Sequence, residues 1–414
     1  MFVWYLRKAI RRGRMVIVLP GGRREELGPG PADSPPLTIR IADRATLWRL
    51  TLNPELAFGE AYMDGTLTIE NGTIRDVLDV MFNNLSDAPP LPQAEFVRPF
   101  RPFLRYLQQY NPAGRARRNV AHHYDLSDRL YELFLDSDRQ YSCAYFPTPD
   151  LTIDAAQEAK KRHIAAKLLL QPGMRVLDIG SGWGGLALSL AQVAGVEVTG
   201  LTLSTEQLAV SNARARAMGL ADRVRFHLRD YRDETGSYDR IVSVGMFEHV
   251  GSVQYGAFFD TVKRLLAPRG VMLLHSIGRR DGPGRTPAWI RKYIFPGGYA
   301  PALSEVLPQV EQRGLWVTDI EVLRLHYAMT LRRWQERFEA NRAEVARLYD
   351  ERFCRMWEFY LAAAEMDFRH WGAMVFQMQL SNALDAVPLT RDYMFDWEHD
   401  AARIESWPRR AGKM

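Results

Sequence analysis

The sequence has little cysteine, and this limits the covalent and metal chemistry open to the chain. Only Cys143 and Cys354 occur in 414 residues, so a disulfide framework and a cysteine-based zinc site are both excluded. Isolated thiols of this kind are typical of a protein kept in a reducing compartment. We therefore expect a cytoplasmic protein.

Long hydrophobic runs are also missing. The longest apolar stretches reach about half of the ~20 residues that a transmembrane helix needs. No apolar segment followed by a small-residue cleavage site opens the chain, so we expect no secretory signal. Hydrophobic residues make up 47% and charged residues 25% of the chain, which is the balance of a folded globular protein.

Acidic residues are absent from the first fourteen positions, where aromatic and aliphatic side chains stand beside cations. The cations are Arg7, Lys8, Arg11, Arg12 and Arg14. A basic amphipathic helix of this kind can lie on a lipid headgroup surface, although a solvated helix packed on its own domain fits the pattern equally well. Together with the net charge of +5, this predicts peripheral association with an anionic membrane surface, at the inner face of the membrane.

The chain divides into three zones. Residues 1–85 predict a small α+β domain associated with lipid or membrane, with short apolar runs separated by glycine and proline turns. Residues 86–118 are rich in proline and arginine and predict a linker. Residues 119–414 predict a catalytic domain. The elements expected in the first zone are strands at Met15–Leu19, Leu37–Ile41 and Trp48–Leu52, and a helix near Ile74–Asn84.

Strands alternate with helices in the third zone, which predicts an α/β fold with a mostly parallel sheet. The expected strands are Arg175–Ile179, Val196–Gly200, Val224–Leu228, Arg240–Val244 and Val271–Ile277. Ser204 and Gln207 predict a capping box at the start of a helix. Beyond residue 328 the pattern predicts helices over Leu331–Leu348 and Arg352–Leu380.

A glycine-rich turn follows the first of these strands, in the order Asp178-Ile179-Gly180-Ser181-Gly182. Such a turn lets a ligand approach the backbone at the carboxyl end of a sheet. The carboxylate that binds ribose in dinucleotide-binding folds is missing ~20 residues later, where Thr202 and Leu203 stand instead. Asp230, just after the third strand, is compatible with an adenine contact or with a turn cap. The pattern resembles the Rossmann-like class I methyltransferases, which use S-adenosylmethionine.

Further motifs make the resemblance more specific, and they occur in a fixed order along the chain. They are the segments 122–127 (HHYDLS), 140–146 (QYSCAYF), 245–251 (GMFEHVG), 274–278 (LHSIG), 295–298 (FPGG) and 326–327 (HY). In this order the chain closely resembles the cyclopropane fatty acid synthases, including the mycolic acid cyclopropane synthases, from about Asn119 to Asp385. Residues 1–118 resemble the additional N-terminal domain of members that act on phospholipids.

The resemblance implies an enzyme that transfers the methyl carbon of S-adenosylmethionine to a double bond in the acyl chains of unsaturated membrane phospholipids, forming a cyclopropane. It also implies a bound bicarbonate as base, in a pocket expected at strand ends and adjoining loops. The pocket residues that the resemblance implies are Cys143, Glu248, His275, Ile277 and Tyr327. Glu248 and His249 are adjacent and no third ligand follows at useful spacing, so we predict no metal.

For S-adenosylmethionine the resemblance implies ten binding residues. They are Tyr141, Ser142, Asp178, Gly180, Gly182, Thr202, Leu203, Gln207, Asp230 and Tyr231. The late helices are expected to supply the acyl site as helical insertions, although their bulky side chains also suit an ordinary core. These side chains are Trp334, Phe338, Phe353, Met356, Trp357, Phe359, Tyr360, Met366, Phe368, Trp371, Met374, Phe376 and Met378.

Two other functions remain open at this point. The same pocket could yield a methyl-branched or methylene acyl chain, or the chain could be a lipid-binding protein without catalytic activity. Nucleic acid is not expected as a partner, because the cations gather at the terminus and linker rather than along a groove. Members of the family are commonly dimers, so the resemblance is compatible with a homodimer.

Overall fold

The computed structural model describes residues 2–30, 36–85 and 127–400, and these fall into two compact units. The first unit contains the described residues up to position 85 together with Arg285–Pro296 and Ala328–Ala373. The second contains the other described residues. The linker predicted at 86–118 and the motif at 122–126 lie outside the described residues, and the predicted domain limits stay a prediction.

The helices and strands are numbered here in chain order. The strands are β1 (Met15–Val18), β2 (Arg24–Leu27), β3 (Leu37–Ile41), β4 (Leu67–Asn71), β5 (Arg175–Ile179), β6 (Glu197–Thr202), β7 (Val224–Leu228), β8 (Tyr238–Val244), β9 (Leu266–Arg279), β10 (Trp316–Val322) and β11 (Ala373–Ser381). The helices are α1 (Phe2–Ala9), α2 (Arg44–Leu52), α3 (Pro54–Met63), α4 (Ile74–Leu85), α5 (Asp128–Phe134), α6 (Ile153–Lys167), α7 (Gly185–Ala194), α8 (Thr205–Ala217), α9 (Tyr255–Leu265), α10 (Ala288–Tyr293), α11 (Leu303–Glu311), α12 (His326–Ala340), α13 (Arg342–Leu348), α14 (Glu351–His370) and α15 (Asp392–His399).

The second unit is built on a seven-stranded sheet in the order β10-β11-β9-β8-β5-β6-β7. β5 pairs in parallel with both β6 and β8, and β8 pairs in parallel with β9. From β5 the chain first builds outward through β6 and β7, and then returns to place β8 on the other side. Ligands bind at such a reversal, beside the carboxyl ends of the strands. The mostly parallel α/β fold predicted from the sequence is confirmed.

β11 corrects the sequence prediction of one helix over Arg352–Leu380. α14 ends at His370, and β11 then runs antiparallel to β10, with Met378 opposite Ile320. A period-two pattern in the sequence identifies this strand, because apolar side chains occupy every second position. These are Met374, Phe376, Met378 and Leu380. Phe376 and Met378 lie in the hydrophobic core of the sheet.

The first unit contains a four-stranded sheet in the order β2-β1-β3-β4 with helices, which agrees with the predicted α+β character of this region. The strand expected at Trp48–Leu52 is wrong, because these residues end helix α2. Asp43 caps this helix by accepting a hydrogen bond from the Thr46 N–H at 2.7 Å. Its buried residues are Thr46 and Leu50, so the apolar alternation does not mark the buried face.

Contacts within the first unit join the early residues to the late helices. Arg75 of α4 donates two hydrogen bonds of 2.9 Å to Glu365 of α14, whose carboxylate is fully buried. A Cβ on Gly59 of α3 would stand 2.4 Å from the Trp289 indole nitrogen and 2.9 Å from the Phe359 ring, so only glycine permits this approach. The early residues and the late helices therefore form one packed unit.

The N-terminal helix α1 packs into its own unit. Phe2, Leu6 and Ala9 are buried, whereas Trp4 is exposed and lies beneath the Lys8 ammonium at 3.9 Å. The apolar face of α1 is therefore buried in its own unit. This agrees with the second of the two interpretations of the segment, a helix packed on its own domain. No helix among the described residues combines the length and the low polarity needed to cross a bilayer.

Candidate functional site

A cavity opens at the carboxyl ends of β5, β6 and β8, where the sheet order reverses. All ten residues predicted for S-adenosylmethionine binding line it. The complete lining is Arg139, Gln140, Tyr141, Ser142, Asp178, Ile179, Gly180, Ser181, Gly182, Trp183, Leu186, Leu201, Thr202, Leu203, Gln207, Arg229, Asp230, Tyr231, Arg232, Val244, Gly245, Met246, His249 and Val250. The fold thus collects residues from five separated segments of the chain, within 139–142, 178–186, 201–207, 229–232 and 244–250, around one space.

The glycine turn after β5 brings the backbone to the wall of this cavity. Gly180 has φ +86°, and a Cβ there would stand 2.7 Å from the Met246 side chain. Gly182 has φ +55°, and a Cβ there would meet nothing within 4 Å. Both positions are in the left-handed region, where glycine carries no steric cost. The turn therefore presents bare backbone to a ligand.

Asp178, the last but one residue of β5, supplies a carboxylate that is buried in the cavity wall. Its Oδ2 is buried and has no hydrogen-bond partner. Burial raises the pKa of Asp178 to about 7, and the Lys160 charge acts against this shift. A buried acceptor without a partner is costly, and a ligand that donates a hydrogen bond would remove the cost.

Thr202 and Gln207 form a second part of the wall, at the end of β6. The Thr202 hydroxyl donates to Gln207 Oε1 at 2.9 Å. Ser204 caps α8 through the Gln207 N–H at 3.2 Å, as predicted. The expected return bond from the Gln207 side chain to Ser204 is replaced by the bond with Thr202, which fixes the Gln207 amide at the cavity.

Asp230 is held in place by its own neighbour. Arg232 donates to both carboxylate oxygens, at 2.8 and 2.6 Å, and its N–H donates to Oδ1 at 3.0 Å. The side chain therefore caps the short 3₁₀ turn Tyr231–Asp233. Of the two interpretations left open by the sequence, the turn cap is observed, and Asp230 lines the cavity as well.

The predicted residues Tyr141, Ser142 and Cys143 lie in one loop, which a buried lysine holds from behind. Lys160 of α6 donates to Ser142 Oγ and to Gln140 Oε1, both at 2.8 Å. Burial lowers the pKa of Lys160 to about 8, although nearby Asp136 favours the charged form. Sequence reasoning missed Lys160, because a lysine in a helix with many charges is usually solvated.

Glu248 lies in a 3₁₀ turn just after β8. Its Oε1 accepts a hydrogen bond from the Ile277 N–H at 2.6 Å, whereas Oε2 is buried without a partner. Burial raises the pKa of Glu248 to about 7, and the bond from Ile277 opposes the shift. The predicted pair Glu248 and Ile277 is therefore in direct contact, with one carboxylate oxygen left for a ligand.

His275 lies two residues before Ile277 in β9, so both side chains project from the same face of the strand. The residue is fully buried, and burial lowers its pKa well below the usual value. Its Nδ1 lies 3.1 Å from Nε2 of Gln377 in β11. Its carbonyl accepts from the Gly245 N–H at 3.0 Å, which ties His275 to the end of β8.

The loop that contains Cys143 contacts His326, the residue before Tyr327. The Phe146 N–H donates to His326 Nδ1 at 2.9 Å, and the Tyr145 ring stacks on His326 with centroids 4.9 Å apart. Tyr327 lies in the first turn of α12 and is buried. The expectation that all five pocket residues lie at strand ends or loops is thus wrong for Tyr327, and His275 and Ile277 lie inside the long strand β9.

The loop of Cys143 also approaches the end of β8, because a Cβ on Gly245 would lie 3.8 Å from the Ser142 Cβ. Hydrogen bonds and close contacts therefore connect the segments of all five predicted pocket residues. Their roles stay a prediction. Among the described residues no group of three or more His, Cys, Asp and Glu side chains could hold a metal ion.

The bulky side chains predicted for the acyl site do not line this cavity. Trp334, Phe338 and Trp357 are buried in the first unit. Phe376 and Met378 belong to the core of the second unit. These five therefore serve as core residues, which was the other interpretation of the pattern. The acyl site itself stays a prediction.

Comparison with known proteins identifies the family. The model of the mycolic acid cyclopropane synthetase family matches residues 112–378. The chain belongs to this family. It is therefore an S-adenosylmethionine-dependent methyltransferase, as the sequence motifs predict. A second family model, for a domain of unknown function, matches residues 7–88.

Two curated relatives within this family cover most of the chain. The cyclopropane-fatty-acyl-phospholipid synthase of Escherichia coli K12 is 37% identical over 85% of this chain and 90% of its own length. The tuberculostearic acid methyltransferase UfaA1 of Mycobacterium tuberculosis is 38% identical, over 85% of this chain and 84% of its own.

A solved structure confirms the fold. The mycolic acid cyclopropane synthase CmaA1, crystallised with SAH and CTAB, superposes with a TM-score of 0.61 at 36% identity. The match covers 66% of this chain and 99% of that chain. The class I methyltransferase fold predicted from the glycine turn and strand order is thereby confirmed.

Proposed function

We propose that the enzyme transfers the methyl carbon of S-adenosylmethionine to the double bond of unsaturated acyl chains in membrane phospholipids and forms a cyclopropane, with bicarbonate as the base. The observation that carries the proposal is a pair of buried carboxylate oxygens without partners, Asp178 Oδ2 and Glu248 Oε2. Each marks a place where a ligand with a hydrogen-bond donor fits. The family membership supports the same conclusion.

The residues that line the cavity can serve different parts of S-adenosylmethionine. Asp178 would accept a hydrogen bond from the ammonium group, the backbone at Gly180 and Gly182 would admit the methionyl part, and Asp230 and Tyr231 would contact the adenosine. Thr202 and Gln207 would complete the wall. Bound there, the sulfonium supplies an electrophilic methyl carbon.

An alkene has no proton to lose, so no side chain can activate it as a base activates an alcohol. The protein must instead align the double bond and exclude water. Tyr141, Trp183 and Tyr231 place aromatic rings in the cavity wall. Their faces can stabilise positive charge that develops on the acyl chain.

Ring closure requires a base near the new methyl group. Bicarbonate carries one O–H donor and several acceptor oxygens. Glu248 Oε2 would accept from that O–H group, and the His275 ring would donate to an acceptor oxygen. Tyr327 and the loop of Cys143 would hold the remaining oxygens. Because Ile277 already occupies Oε1, Glu248 is fixed in orientation for this contact.

Phospholipid as the source of the acyl chain is favoured by exposed aromatic residues on the first unit. Trp4 of α1 and Trp48 of α2 are 56% and 64% exposed, on two helices that contact each other. Arg11 and Arg12 follow α1 in the sequence. Indole rings beside cations are typical of surfaces that rest on anionic lipid headgroups.

A second product stays open because of one comparison. UfaA1, which is named a tuberculostearic acid methyltransferase, is as similar to this chain as the phospholipid synthase is. The same cavity would then give a methyl-branched or methylene acyl chain. A lipid-binding protein without catalysis would not need two unpartnered carboxylates, so we place that function last.

Lipid analysis distinguishes these functions. The protein is incubated with S-adenosylmethionine and vesicles of unsaturated phosphatidylglycerol and phosphatidylethanolamine, and the acyl chains are examined by mass spectrometry. Cyclopropane and methylene products gain one CH₂ and are separated by fragmentation, whereas a saturated methyl branch gains CH₄. We expect the cyclopropane. Unchanged acyl chains would contradict the proposal.

A further inference from the structure

We infer that Gln377 and Lys167 are positioning residues that fix the tautomer of His275, so that this histidine presents its Nε2–H as a hydrogen-bond donor to the bound anion. The inference rests on the proposed function for the identity of that anion. The tautomer itself follows from a chain of hydrogen bonds that starts at Glu321.

This series of hydrogen bonds begins with groups whose donor and acceptor roles are fixed by chemistry. Glu321 Oε2 contacts both Lys167 Nζ and His163 Nε2. Burial alone would raise the pKa of Glu321, but His163 and Lys167 outweigh it and the pKa is lowered. Glu321 is therefore a carboxylate that can only accept. Burial lowers the pKa of Lys167 from its usual value of 10.5, but the charge of Glu321 and its hydrogen bond act against this shift, so we take Lys167 as an ammonium group that donates to Glu321.

The ammonium group then orients the amide of Gln377. Lys167 Nζ also lies 2.7 Å from Gln377 Oε1, and an ammonium has no acceptor. The amide oxygen must therefore face Lys167, and the amide NH₂ must face the other way. The contact with Lys167 therefore assigns the oxygen and the nitrogen of the Gln377 amide, which the positions of the atoms alone do not distinguish.

The amide in turn sets the protonation of His275. Gln377 Nε2 lies 3.1 Å from His275 Nδ1 and can only donate, so Nδ1 must be an unprotonated acceptor. Burial and the charges of Lys160, Lys167 and His163 lower the pKa of His275, against the opposing Glu321 charge. The ring is therefore neutral, and its one proton resides on Nε2.

This arrangement complements Glu248. A carboxylate oxygen at Glu248 accepts and an imidazole N–H at His275 donates, which matches an anion that carries both a proton and a free acceptor oxygen. The opposite tautomer would turn a lone pair toward the anion and repel it. Gln377 thus acts through His275 and does not itself need to touch the ligand.

The direct test is nuclear magnetic resonance of the protein with ¹⁵N-labelled histidine, in bicarbonate-free buffer. Two-bond ¹H–¹⁵N correlations report which ring nitrogen carries the proton, and His275→Asn identifies the His275 signals. We expect a protonated Nε2 and an unprotonated Nδ1. A protonated Nδ1 in the wild type would overturn the inference, whether or not the enzyme makes a cyclopropane.

Two variants of Gln377 and one matched control extend the test. Gln377→Glu replaces the donor by an acceptor, so His275 Nδ1 should become protonated. Gln377→Met removes the donor to His275 Nδ1, so the ring is no longer held with its N–H toward the anion. The bicarbonate concentration for half-maximal turnover should rise about tenfold or more, which is the effect of losing the hydrogen bond from His275 to a charged group. Gln379→Met is the control, because Gln379 is also buried in β11 but bonds to Lys167 O and Tyr393 OH instead.

The control variant should keep the wild-type His275 spectrum and bicarbonate dependence. If Gln377→Glu leaves Nδ1 unprotonated, or if both methionine variants change bicarbonate dependence equally, Gln377 has only a structural role. Absence of any turnover in the wild type would instead refute the proposed function and leave the tautomer measurement valid.

Discussion

Replacing Glu248 by glutamine should lower turnover and should shift the free energy of unfolding, relative to the wild type, in the variant's favour as the pH rises. The pKa of this buried carboxyl is raised from 4.5 to about 7. The folded state therefore binds more protons than the unfolded state between these two values, and the free energy of unfolding falls as pH rises through this window. The ionised form costs about 3 kcal/mol above pH 7.

Glutamine cannot ionise, so Glu248→Gln lacks this cost at every pH. The difference in unfolding free energy between variant and wild type should therefore shift by about 3 kcal/mol in the variant's favour from pH 4.5 to pH 8. Burial of the glutamine NH₂ group adds a penalty that is equal at both pH values and cancels. Urea unfolding in bicarbonate-free buffer measures the difference.

Turnover should fall about 10–100-fold in the same variant, because a hydrogen bond to a charged group is lost while the Ile277 contact to the side-chain oxygen remains. Glu311→Gln is the matched control, since Glu311 is exposed on α11 of the same unit. It should change neither turnover nor the pH dependence. A Glu248→Gln variant with wild-type turnover, or with a pH-independent stability difference, would refute the assigned role of Glu248.

Three other changes test separate parts of the account. Gly182→Ala and Gly219→Ala both place alanine at positive φ, and each should lower the free energy of unfolding by about 1–2 kcal/mol. Only Gly182→Ala should also weaken the binding of S-adenosylmethionine, which calorimetry measures. Lys160→Met removes the donor to Ser142 and should lower that affinity about tenfold; unchanged binding would show that the loop holds itself. Trp48→Ser should reduce co-sedimentation with anionic vesicles, whereas Trp316→Ser, which is also exposed, should not; equal effects would contradict a membrane-facing first unit.

The sequence predicted those parts of the fold that depend on local patterns. Arg175–Ile179 and Val224–Leu228 are strands with the predicted limits. Arg175–Ile179 is buried at four successive positions, as in a central parallel strand, whereas in Val224–Leu228 the buried Val224 and Phe226 alternate with more exposed residues. Eight of the ten residues predicted for the cofactor line one cavity because they lie in or just after β5, β6 and β7, and parallel strands end at one edge of the sheet; Tyr141 and Ser142 reach the same cavity from the loop before α6. Residues at the ends of predicted parallel strands can therefore be expected to lie close together in the folded protein.

The groups that sequence reasoning missed act through packing between distant segments. Lys160 and Lys167 are on α6, in a run of charges that resembles a solvated surface, yet both are buried. Gln377 lies in a strand that was predicted as helix, which hid its approach to His275. Contacts between residues more than a hundred positions apart leave no local signal, so only the structure connects His275, Gln377 and Lys167.

The central claim is that a methyl group reaches an acyl double bond and then loses one proton to a base held beside Glu248. Product analysis with S-adenosylmethionine that carries a fully deuterated methyl group tests this most directly. The account predicts phospholipid acyl chains with a cyclopropane carbon that retains two deuterium atoms. A product that retains all three, or no transfer of deuterium to the lipid, would contradict it.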